Sequence, residues 1–111
     1  QEAGLAALDM PEAVAEMTES YRVRRDSFLE KLRTLPGFRC IIPQGAFYAW
    51  VQVDRDANEM ADFLLQKAGV VTVPGGAYGE NSRNCIRMCF AADPADLENA
   101  ALRMENALRG A

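Results

Sequence analysis

Cys85-Ile86-Arg87-Met88-Cys89-Phe90-Ala91 reads as a buried strand interrupted by one charge. Side chains alternate across a strand, so Ile86, Met88 and Phe90 share one face. That apolar face requires a cover of other elements. Arg87 points the opposite way, between two small, weakly polar cysteines. Taken alone, such an Arg is most often a solvated charge or the partner of a nearby acid. Where it is partly buried it needs an anion, because an unpaired charge removed from water is costly. Its planar fork of donors fits a carboxylate.

Working outward, the segment just upstream is glycine-rich: Val73-Pro74-Gly75-Gly76-Ala77-Tyr78-Gly79. Each of these glycines, like Gly45, has an ordinary explanation in turn geometry. A phosphate cradle is excluded, since the loop matches no phosphate or dinucleotide pattern and leads into a strand. Close passage of the backbone by a ligand stays open for Gly45 and for the loop. Tyr48, Trp50 and Tyr78 could stack on a ligand, although aromatics in strands serve more often in cores and interfaces. Gln52 shares the face of Tyr48 and Trp50, so that face is not uniformly apolar.

The rest of the chain supplies the cover. Residues 1–8 form a short alanine-rich helix, reset by Asp9-Met10-Pro11. A long helix runs from Pro11 to about Thr34, with Val14, Met17, Tyr21, Phe28, Leu32 and Leu35 as one apolar stripe. Pro36-Gly37 ends it. Phe38–Ile42 and Ala46–Val53 read as strands, separated by the turn Pro43-Gln44-Gly45. Asp56 to Glu59 resembles a capping box, and the helix it opens runs to about Ala68, burying Met60, Phe63 and Leu64. Gly69 stops it. Val70–Val73 is a short strand. Asp93-Pro94-Ala95-Asp96 starts a last helix with a stripe of Leu97, Ala101, Met104 and Leu108. The order is ααββαββα: an α+β fold, with a small, mainly antiparallel sheet covered by helices on one face. The uncovered face carries Arg87.

Bulk composition narrows the function. The chain has 111 residues, half of them apolar and a quarter charged, which suits one globular domain. Net charge is −4 without a basic block, which argues against a nucleic-acid partner. Helical neighbours Glu19, Asp26 and Glu30 account for the basic knot Arg22, Arg24 and Arg25. No apolar stretch reaches membrane-spanning length, and no signal peptide is visible. The start at Gln1 suggests an excised piece of a larger protein. Cys40, Cys85 and Cys89 make an odd count without a CxxC pair, which fits free, buried thiols in a reducing cytoplasm. Histidine is absent, which removes Ser-His-Asp and Cys-His catalysis and the usual zinc sites.

Three motifs now stand in order: Pro43-Gln44-Gly45-Ala46-Phe47-Tyr48, Val70 through Gly79, and Ile86-Arg87-Met88-Cys89-Phe90-Ala91. Together with the opening helix, Tyr21 through Asp26 and the ending from Leu97 to Leu108, they resemble the C-terminal small domain of class I aminotransferases. These are the pyridoxal-phosphate enzymes of fold type I, and the resemblance spans essentially all of residues 1–111. It implies that Arg87 forms a two-pronged salt bridge with the α-carboxylate of an amino-acid or 2-oxo-acid substrate. It implies that the backbone at Gly45 passes close to that substrate, and that Pro74–Gly79 borders the active-site entrance. It places the Schiff-base lysine, the aspartate under the pyridinium nitrogen and the phosphate-binding groups in a large domain of the same chain. Lys31 and Lys67 match no lysine motif. The expectation is therefore a cytoplasmic, homodimeric enzyme using pyridoxal 5'-phosphate, of which this domain holds neither the cofactor nor a catalytic residue and is inactive alone. A small-domain segment that would precede these residues is missing, which would leave part of the sheet or its covering exposed. Lyase or synthase chemistry on the same carboxylate clamp, and a sensor domain of a transcription regulator, are the alternatives the resemblance leaves open.

Overall fold

The computed structural model describes residues 1–110, so the last residue of the expected 1–111 unit lies outside it. Helices α1 (Glu2–Leu8) and α2 (Pro11–Leu32) come first, followed by strands β1 (Arg39–Cys40) and β2 (Tyr48–Gln52). Helix α3 (Ala57–Ala68), strand β3 (Val73–Pro74), strand β4 (Cys85–Cys89) and helix α4 (Pro94–Arg109) complete the order. The α+β expectation holds. The sheet runs β1-β2-β4-β3 and every neighbouring pair is antiparallel.

One face of the sheet is the core. Ala49 and Val51 of β2 and Ile86 and Met88 of β4 are buried there, joined by Phe90 just past the strand. They meet Phe28, Leu29 and Leu32 of α2, Met60 and Leu64 of α3, and Leu97, Ala101, Met104 and Leu108 of α4. The helix ends follow the local chemistry. Asp56 accepts hydrogen bonds from the N–H groups of Asn58 (2.9 Å) and Glu59 (3.4 Å), satisfying orphan donors of α3. Gly69 closes that helix in the left-handed conformation, φ 64°. Asp93 caps α4 through the N–H of Ala95 at 2.9 Å, with Pro94 in the first turn.

Several expectations needed correction. Strands β1, β2 and β3 are shorter than the β-rich sequence suggests: Phe38–Ile42 pairs only at Arg39–Cys40, Ala46–Val53 only at Tyr48–Gln52, and Val70–Val73 only at its last residue, continuing to Pro74. Ladder length is set by the partner available, and β1 and β3 are edges beside five-residue strands. The stripe on α2 is buried only in its C-terminal half. Val14 and Met17 remain exposed, and the buried residues of the helix are Phe28, Leu29 and Leu32 near its C-terminal end. Phe63 is half-buried, with the Arg55 guanidinium 5.5 Å from its ring centre. The thiols are free but not buried: Cys85 is partly covered and Cys89 exposed because they lie on the open face of β4, and Cys40 is partly covered on the edge strand β1. No helix of the described residues is long and apolar enough to cross a membrane.

Candidate functional site

Alternation in β2 and β4 decides what the open face carries. Residues 48, 50 and 52 of β2 point outward while Ala49 and Val51 point into the core. Cys85, Arg87 and Cys89 do the same on β4. Antiparallel register sets Trp50 directly opposite Arg87, with Tyr48 opposite Cys89 and Gln52 opposite Cys85. On the other side Val73 of β3 pairs with Arg87. The arginine thus sits in the middle of the sheet, half-buried, on the side that the helices leave bare.

Its surroundings are aromatic. The guanidinium carbon of Arg87 stands 4.2 Å from the centre of the Tyr48 ring and 5.3 Å from that of Tyr78. Tyr78 meets Trp50 edge to face, centroids 5.7 Å apart at 77°. Tyr48 is backed by Phe47 at 4.8 Å and 73°, and Phe47 in turn by Tyr21 of α2 at 5.7 Å. Among the described residues no carboxylate forms a salt bridge with Arg87, and no side-chain hydrogen bond occupies its donors. Some arginines behave differently: Arg22 is tied to Glu19 at 2.6 Å, Arg25 to Asp26 at 2.8 Å and Arg109 to Glu105 at 3.0 Å, whereas Arg24, which lies over the Tyr21 ring at 5.4 Å, shares with Arg87 the lack of an acid partner among the described residues. The hydrogen bond from Arg22 holds the Glu19 carboxyl below its ordinary pKa. A half-buried guanidinium that lies over ring faces and has no acid partner among the described residues keeps its N–H fork available to receive a planar anion.

The glycine loop positions Tyr78. It folds into two short 3-10 turns, Gly75–Tyr78 and Glu80–Ser82, where the sequence suggests an open loop. Gly75 is required by close approach: a Cβ there would lie 2.7 Å from the carbonyl oxygen of Cys85 and also strike that of Ser82. Gly79 adopts φ 147°, a conformation side chains rarely tolerate. The turns therefore rest on the start of β4 and present Tyr78 over Arg87.

Gly45 lies elsewhere. It lines a groove of about 460 Å³ with Thr18, Tyr21, Arg22, Arg25 and Phe47. Arg25 donates to the carbonyl of Pro43 across this groove, at 3.1 Å. A Cβ on Gly45 would meet nothing within 4 Å, so packing inside the described chain does not demand glycine there. The groove and the Arg87 face meet at Phe47, whose ring touches Tyr48. The unusual backbone of the turn is at Ala46, with φ 60°.

The lysines stand apart from this face. Lys31 bridges α2 to α4 through Glu98 at 3.0 Å, and Lys67 is exposed in the last turn of α3. Sequence reasoning found Arg87 and its bare face. It did not find that Tyr48 and Tyr78 hold the guanidinium, because the register between β2 and β4 depends on a connection through α3, β3 and both turns. The available signal was the i, i+2 spacing of Tyr48 and Trp50.

Comparison with known proteins agrees with this architecture. The family described as aminotransferase class I and II matches residues 1–104. An aspartate aminotransferase of Pyrococcus horikoshii is 34% identical over 99% of this chain and 30% of its own length. An LL-diaminopimelate aminotransferase of Nitratidesulfovibrio vulgaris is 36% identical over 94% of this chain and 27% of its own length. In three dimensions an aromatic aminotransferase from Pyrococcus horikoshii superposes with a TM-score of 0.85 at 30% identity, covering 89% of this chain and 27% of that one. The chain thus spans less than a third of the length of these relatives. On the match across residues 1–104, the chain belongs to the aminotransferase class I and II family.

Proposed function

We propose that residues 1–111 are the substrate-carboxylate-binding C-terminal small domain of a pyridoxal-phosphate-dependent aminotransferase. Such an enzyme moves an amino group between an amino acid and a 2-oxo acid. Arg87 receives the α-carboxylate as a two-pronged salt bridge, and the covered sheet fixes where that bridge forms. One observation carries the reading: a half-buried guanidinium in the middle of the bare face, stacked at 4.2 Å on Tyr48, with no acid of the described chain engaging it. Aminotransferase names among the relatives favour amino-group transfer over lyase or sensor roles.

Family membership implies pyridoxal phosphate, and the residues here do not fit as its holders. Neither lysine stands on the Arg87 face, Lys31 being engaged by Glu98 and Lys67 lying exposed in the last turn of α3. The cofactor therefore belongs to the large domain of the same chain, together with the groups that distinguish amino acids. The small domain's contribution is to bind and orient the carboxylate and to keep water from the reacting end as it closes. The exposed first half of α2 is the element that would join it to the large domain in a homodimeric, cytoplasmic enzyme. Gly45 and the Pro74–Gly79 turns would border the substrate.

The test uses the full-length protein and three amino acids suggested by its relatives: L-aspartate, L-phenylalanine and LL-diaminopimelate. Arg87→Ala should weaken binding of whichever is turned over by about 2–3 kcal/mol, the loss of charge-assisted hydrogen bonds. Unchanged affinity would remove Arg87 from the site.

A further inference from the structure

We infer that Tyr48 and Tyr78 are positioning residues that aim the Arg87 guanidinium by holding it between two rings. This rests on the proposed role of Arg87 and adds a specific cause for its affinity. A strand-borne arginine has a long, flexible side chain, and an unrestrained one must give up rotamer freedom when it meets an anion. Here that freedom is already restricted. The direct cross-strand neighbour of Arg87 is Trp50, yet the guanidinium lies over Tyr48, one diagonal step along β2, 4.2 Å from the ring centre. Tyr78 approaches it at 5.3 Å from the neighbouring turn.

The two rings are themselves anchored. Tyr48 leans on Phe47, and Tyr78 on the edge of Trp50. The turn bearing Tyr78 is seated by Gly75, which leaves no room for a side chain against β4. Ring faces attract a cation without consuming its N–H donors. The arrangement therefore fixes direction while leaving the fork free, which an acidic partner would not do. Arginine is required on both counts, since lysine offers neither the stacking plane nor the paired donors. Tyr48 and Tyr78 are 36% and 53% exposed and neither is among the buried core residues, so both can be replaced without opening the core.

The experiment compares Tyr48→Leu, Tyr78→Leu and the double variant in the full-length holoenzyme, with Tyr48→Phe and Tyr78→Phe as conservative partners. The probe is whichever of the three amino acids named above the enzyme turns over. The double leucine variant should raise KM about tenfold, equivalent to about 1.4 kcal/mol, with kcat changed less than about twofold. Tyr48→Leu should have the larger single effect, as the nearer ring. The phenylalanine variants keep the ring and should restore KM to within about twofold. Unchanged KM in the double leucine variant, while Arg87→Ala still weakens binding, overturns the positioning role and leaves the carboxylate reading standing. If the phenylalanine variants fall as far as the leucine variants, the hydroxyls act and the ring mechanism is wrong. If Arg87→Ala itself has no effect, the underlying reading fails first. Melting temperatures measured alongside detect misfolding, and a KM effect that tracks only unfolding also overturns the proposal.

Discussion

Arg87 and Tyr48 occupy adjacent strands, and their contact is diagonal: the guanidinium carbon sits 4.2 Å from the ring centre although Trp50 is the residue in register with Arg87. The contact satisfies a cation that no acid of the described chain engages. A structural role and a binding role for Arg87 then separate cleanly. Replacing Arg87 with Ala removes a cation–π contact of about 0.5–1 kcal/mol and strands no buried partner. Urea unfolding of the 111-residue chain should move by no more than about 1 kcal/mol. A loss of several kcal/mol would mean that the side chain chiefly holds the sheet together.

Gly75 and Gly76 are neighbours in sequence with opposite demands. A methyl group on Gly75 collides with the carbonyl oxygens of Ser82 and Cys85, which are backbone atoms that cannot step aside, whereas one on Gly76 meets nothing within 4 Å. Gly75→Ala should destabilise the chain by about 2–3 kcal/mol. Gly76→Ala should stay within about 0.5 kcal/mol of the parent. Thermal unfolding of the two variants side by side checks this, and equal melting temperatures would contradict the packing described for the turn.

Thr72 is a buried misfit. Its hydroxyl oxygen is shielded and has no hydrogen-bond partner among the described residues, while its backbone leads into β3. Burying an unpaired hydroxyl is unfavourable. Thr72→Val preserves the shape and should raise stability of the isolated chain by about 1 kcal/mol. A decrease would show that the hydroxyl is satisfied in solution.

The legible parts of this fold were those set by local chemistry. Asp56, Gly69 and Asp93-Pro94 mark helix ends in the sequence, and α3 begins and ends, and α4 begins, as those residues specify. The alternation of Ile86, Met88 and Phe90 against Arg87 marks the two faces of β4 as the structure has them. What could not be read depends on distant partners. Val14 and Met17 continue the apolar spacing of Phe28 and Leu32, but periodicity does not tell which turns of the helix are covered. The β-rich run at Val70–Val73 yields one paired residue before Pro74 because only β4 is beside it. The aromatic pair around Arg87 was equally hidden, since it joins β2 to a turn some thirty residues later through a register that only the folded sheet defines.

The claim that Arg87 recognises a carboxylate is tested most directly by removing the carboxylate as well as the arginine. In the full-length protein, binding of L-phenylalanine and of 2-phenylethylamine, which lacks the carboxylate, is measured for wild type and for Arg87→Ala. Wild type should prefer the amino acid strongly, and the substitution should cut that preference by about 2–3 kcal/mol, roughly 30- to 150-fold. An undiminished preference in Arg87→Ala would contradict the account.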